Sequence, residues 1–84
     1  MLYQNYPNPF NPRTIVNYKL PITNYVELII YNPIGQMIAI LVSKKQSAGS
    51  YQVEWDASGF ASGIYYYMIR AGDFRALRKM ILLR

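Results

Sequence analysis

Between residue 14 and the end of the chain, apolar and polar positions alternate in short runs broken by turn residues. In TIVNYKL (14–20), Val16, Tyr18 and Leu20 fall on one side and Ile15 and Asn17 on the other. YVELIIY (25–31) repeats the pattern with Val26, Leu28 and Ile30, and YQVEWD (51–56) with Tyr51, Val53 and Trp55 against Gln52, Glu54 and Asp56. GIYYYMIRA (63–71) puts Tyr65, Tyr67 and Ile69 on one face. A period of two over runs this short is the signature of half-buried β-strands. QMIAILV (36–42) is almost uniformly apolar, and its neighbours make it a buried strand. FRALRKMILLR (74–84) closes the chain as a strand whose end is apolar on both faces. One face can meet the core; the other needs cover from a loop, the proline-rich lead-in or a partner.

Turn chemistry separates these runs at 21–24, at Asn32-Pro33-Ile34-Gly35, across a polar loop at 43–50, through the small residues of 57–63 and at 71–73. Proline suits the second position of a turn and glycine a positive φ. Connections this short are too brief for parallel crossovers, so pairing is antiparallel. The reading is an all-β sandwich of six strands, or seven if residues 2–6 pair at an edge. Ahead of it stands YPNPFNP (6–12), with prolines at 7, 9 and 12. Proline fixes its own φ and pushes the preceding residue towards extended conformations, which excludes helix and argues against a central strand. This lead-in is expected to lie extended along a sheet edge, held by Phe10.

Composition narrows the picture. Eighty-four residues make a single domain, 1–84, divided here into a lead-in at 4–14 and a sandwich at 14–84. The apolar share of 52% supports a packed core. No cysteine is present, which removes disulfides and thiolate metal sites without assigning a compartment. No apolar run is long enough to span a membrane, and MLYQNYP does not read as a signal peptide. If the protein is exported, the chain is therefore expected to be a piece of a longer one. The net charge of +5 concentrates at the end, in Arg70, Arg75, Arg78, Lys79 and Arg84 against Asp73. Such a cluster can attract acidic partners, or simply protect a strand edge.

Candidate chemistry is sparse. The chain has no histidine and only four acids. Glu54 and Asp56 lie on one strand face with Cα atoms roughly 7 Å apart, a spacing that could hold a water between carboxylates. Nothing nearby would raise either pKa, so two solvated carboxylates are expected. The serines have no base to activate them, and the glycines are dispersed turn residues. No enzyme, cofactor or metal site is expected. Tyrosines beside Arg70 and Arg78 could stack on bases, but the motifs of a sheet-platform reader are missing. No nucleic-acid partner is expected.

Three stretches then fall together: QNYPNPFNPRT (4–14), GSYQVEWDASGFASGIYYYMI (49–69) and RKMILLR (78–84). In order and spacing they closely resemble the type A C-terminal sorting domain of the type IX secretion system. That family is carried by exported proteins of Bacteroidetes and is compared with the immunoglobulin-like domain of the flagellar hook-capping protein. The resemblance implies an immunoglobulin-like antiparallel β-sandwich of about seven strands, covalently linked behind an N-terminal cargo domain. It implies a non-catalytic address, with the cargo passing the periplasm and reaching the cell surface or the medium. The partners it implies are an outer-membrane translocon and a sortase-like peptidase.

Residue by residue, Pro9, Phe10, Asn11 and Pro12 match the family's first motif, and Gly49 and Tyr51 its central Gly-x-Tyr. Gly63, Ile64, Tyr65 and Tyr67 match the Gly-x-Tyr strand, and Lys79, Leu82, Leu83 and Arg84 the ending, with Arg84 where lysine is common. The final strand is expected to be the recognised surface, its exposed backbone adding to a partner's sheet. The same exposed strand would give the isolated domain a route to a dimer. The competing reading is an immunoglobulin-like structural or adhesive module with no targeting role.

Overall fold

The computed structural model describes residues 1–84 and contains six strands and no helix. They are β1 (Arg13–Leu20), β2 (Asn24–Tyr31), β3 (Met37–Gln46), β4 (Gly49–Asp56), β5 (Gly63–Ala71) and β6 (Phe74–Leu82). β1 pairs with β4, and the second sheet has the order β3-β2-β5-β6, every neighbour antiparallel. Residues 2–6 run antiparallel along the free edge of β1. Tyr3 N–H donates to Asn17 O at 3.0 Å, and Tyr6 exchanges both backbone bonds with Ile15. Counting this edge segment, three strands face four. The sandwich is the immunoglobulin-like one that the resemblance implied.

The alternation read from the sequence sets the core. Val16, Tyr18 and Leu20 meet Val26, Leu28 and Ile30 of the opposite sheet, with Tyr65, Tyr67, Ile69, Met80 and Leu82 completing the cluster. Full burial of such side chains stabilises by about 1.5–3 kcal/mol each, the main favourable term in a domain of this size.

Three expectations need correction. The nearly all-apolar run at 36–42 forms a strand from Met37, but an edge strand and largely unburied: Met37 is 56% and Ile40 57% exposed. Two bulges skip Leu41 and Ile38 in its pairing with β2, and a bulge re-aims the side chains that follow it. The predicted polar loop at 43–50 is shorter, since β3 continues to Gln46 and β4 begins at Gly49. The lead-in does not lie straight along one edge either. It leaves β1 after Tyr6, bends at residues 7–9 and 11–12, and crosses to the other sheet, where Phe10 bridges Leu82 in parallel. Side-chain partners and two different sheet edges dictate that path; proline stiffness alone does not.

Candidate functional site

The two Gly-x-Tyr motifs build the same device twice. At the start of β5, the Tyr65 hydroxyl donates to Ala61 O, four residues back, at 2.6 Å. At the start of β4, the Tyr51 hydroxyl donates to Ser47 O, again four back, at 2.6 Å. The glycine two residues before each tyrosine holds nearly the same backbone angle, φ +152° at Gly49 and +153° at Gly63, which L side chains rarely adopt. Each motif is therefore a tyrosine corner, the tie that immunoglobulin-like sandwiches use where a strand enters the sheet. The spacing was visible in the sequence; the hydrogen bond that gives it meaning was not.

The proline-rich lead-in and the final strand form one unit. Phe10 is 2% exposed, with its ring 5.8 Å from that of Trp55, which in turn meets Phe60 and Tyr65. Its backbone clamps the end of β6: Phe10 N–H donates to Ile81 O at 3.0 Å, and Leu83 N–H to Phe10 O at 2.9 Å. Asn8 Oδ1 accepts from Ile81 N–H at 3.0 Å, and Gln4 Nε2 donates to Lys79 O at 2.8 Å. Pro12 O accepts from Ala57 N–H, while Pro9 and Asn11 face solvent. The outer edge of β6 from Lys79 to Leu83 is thus occupied from within the molecule. Addition of a partner strand along that stretch, expected from the sequence, would have to displace these bonds, since only the Lys79 N–H there carries none.

Beneath the lead-in lies a buried polar network that the sequence reading missed. Asn5 and Thr14 are 3% and 1% exposed. Asn5 Nδ2 donates to Thr14 Oγ1 at 2.8 Å, and Thr14 Oγ1 to Pro7 O at 2.9 Å. The Tyr67 hydroxyl donates to Tyr3 O at 2.7 Å and accepts from Asn5 N–H at 2.8 Å. Every buried side-chain polar atom in the domain finds a partner, so the network ties the lead-in to both sheets without a desolvation penalty left over. Burial pushes the Tyr67 hydroxyl above the ordinary 10.0, partly opposed by the Asn5 bond and the Arg78 charge. Tyr18, stacked on Tyr51 at 5.3 Å, is likewise raised by burial.

The basic end separates into parts. Arg78 Nε donates to Leu2 O at 2.9 Å, and Arg84 reaches Phe60 O at 2.7 Å. Arg70 pairs with Glu27 at 2.6 Å. Only Arg75 and Lys79 of the five carry no hydrogen bond or ion pair through their side chains, and both are exposed. Leu82 is fully buried and Leu83 is 54% exposed. Glu54 and Asp56 lie on the solvent face of β4. Asp56 pairs with Arg13 at 3.5 Å, and the Ser58 hydroxyl and N–H hold its carboxyl below the usual 3.8. An acid catalyst needs the opposite shift.

The two outer faces of the sandwich differ in kind. Arg13, Asn17 and Lys19 of β1 meet Asp56, Gln52 and Ser50 of β4 across one face. The outer face of the four-stranded sheet carries an apolar band, bordered by the polar row Ser43, Glu27, Arg70, Arg75. One row runs Ile40, Ile29, Met68, Leu77, and the next Met37, Tyr31, Tyr66, Lys79. Tyr31, Gly35, Tyr66 and Leu77 line an open depression of about 220 Å³ there.

The family model described as "Secretion system C-terminal sorting domain" matches residues 4–83. No curated protein sequence matches the chain. Among solved structures, the fold matches PorZ of Porphyromonas gingivalis, described as an essential bacterial surface component of the type-IX secretion system. The TM-score is 0.69 at 19% identity, over 99% of this chain and 11% of PorZ. At that identity the likeness shows the shared sandwich.

Proposed function

The chain belongs to the family of secretion system C-terminal sorting domains, and on that premise we propose that it is the address of a larger exported protein, read by the type IX machinery at the outer membrane. The domain directs a covalently linked cargo across that membrane to the cell surface and performs no catalysis of its own. Transit is through the periplasm. The direct partners are the translocon and a sortase-like peptidase that acts once the cargo is outside. The observation that carries this reading is the match across residues 4–83, which takes in the lead-in, both tyrosine corners and the final strand together.

The test is export of a fusion. A fluorescent protein with a cleavable signal peptide, followed by residues 1–84, is expressed in a bacterium that has the type IX system. It should reach the surface or the medium, while the same protein without the domain stays in the periplasm. Retention of the folded fusion, in cells that export a host-matched sorting domain in its place, contradicts the reading and leaves a purely structural module.

A further inference from the structure

Of the residues matched to the family's motifs, the bulky buried ones are unavailable to a partner, while Pro9, Asn11, Lys79 and Leu83 are exposed. Phe10, Tyr65, Tyr67 and Leu82 are all within 6% of full burial, and Arg78 and Arg84 spend their guanidinium groups on backbone carbonyls. Whatever reads the domain meets its exposed side chains, Lys79 among them. We infer that the outer face of the four-stranded sheet is a docking surface for a folded protein presenting an apolar patch bordered by carboxylates; this rests on the sorting role proposed above.

Composition and exposure single out this face. Leu77 is 60%, Ile40 57% and Met37 56% exposed, side by side with the half-buried Met68, Tyr31 and Tyr66. An antiparallel sheet normally turns a polar face to water, as the β1–β4 sheet of this molecule does. A contiguous apolar face is a mark of an interaction site. Methionine, tyrosine and arginine are the residues enriched at the centres of protein interfaces.

Charge identifies the occupant. Arg75 and Lys79 flank Leu77 along β6 with no counter-ion, and Lys45 lies further out on β3. The one carboxylate on this face, Glu27, is already held by Arg70. The free charge presented is therefore all positive, and complementary carboxylates on the partner would steer the encounter and fix its register. A second copy of the domain, itself +5, would set like charges rim to rim. An anionic membrane would gain only about 1 kcal/mol from each such cation.

The experiment compares the wild-type fusion with Leu77→Asp and with Arg75→Glu/Lys79→Glu, following export beside thermal melting of each isolated domain. Because these side chains are exposed, the melts should stay within a few degrees of wild type. Export should fall at least tenfold, with folded fusion held in the periplasm. Leu77→Lys, which keeps the cationic character but removes the apolar contact, should also be impaired. If the wild type is exported and the folded face variants are exported equally, the docking surface is wrong and the sorting role stands. If the wild type itself is retained while a host-matched domain is exported, the sorting role fails and the docking surface with it. Sedimentation of the isolated domain, and its flotation with phosphatidylglycerol vesicles, check the other occupants. A dimer or vesicle binding abolished by Leu77→Asp would overturn the assignment to a protein partner.

Discussion

Tyr67 joins the most parts of the molecule through one atom. Its hydroxyl bonds Tyr3 O and Asn5 N–H from a fully buried position, so Tyr67→Phe keeps the packing and strands two backbone groups. The expected cost is about 1–3 kcal/mol, read by urea unfolding. Tyr67 and Tyr18 both have folded pKa values raised above 10.0 by burial, so the fold favours their neutral forms. Their contribution is complete below pH 10.0 and is lost as pH rises through the folded values. Stability should fall in alkaline titration above that point, and less steeply in Tyr67→Phe. Alternation made the burial of Tyr67 legible in the sequence. It could not reveal Asn5 and Thr14, because a polar residue's burial is set by partners distant in the chain.

Among the elements, the lead-in and β6 show what tertiary context adds to local pattern. Prolines at 7, 9 and 12 excluded a helix, but the crossing between sheets depends on Phe10 finding Trp55 and on the backbone of β6. Phe10→Ala should cost about 3–5 kcal/mol, a large share of the total for a domain this size, and should show as a loss of most of the thermal transition. A local test uses Asn8→Ala. Ile81 N–H then loses its acceptor while Leu83 N–H keeps Phe10 O. Hydrogen exchange should quicken at Ile81 and remain slow at Leu83. The β3 run was legible as a strand, yet its exposure was not. A segment apolar on both faces carries no period from which an inner face can be chosen, and its bulges and edge position come from pairing with β2.

Across the whole molecule, the ending cannot be separated from the fold. Residues 79–84 include Met80 and Leu82, both fully buried, so a chain ending at Arg78 should lose cooperative unfolding in circular dichroism. A failure of that truncation to be exported would report collapse of the sandwich as much as loss of a signal. Fold class, antiparallel order and the core faces followed from the alternation of a few residue types. The division between residues that build and residues that face outwards needed the assembled sandwich. Two tyrosine corners, an aromatic clamp and the buried positions of the last strand fall in the first group; Pro9, Asn11, Lys79 and Leu83 fall in the second.

The central claim is that the domain is read from its surface while its buried tyrosines and Phe10 hold it together. The most direct measurement is export of the fusion carrying Tyr65→Phe beside the wild type, with the fold of each domain followed by circular dichroism. This change removes only the hydroxyl that closes the corner on Ala61 O, at about 1 kcal/mol. Both fusions should be folded and exported alike. A Tyr65→Phe domain that melts like the wild type and yet stays in the periplasm would show that the motif side chain is itself recognised, and would contradict the account.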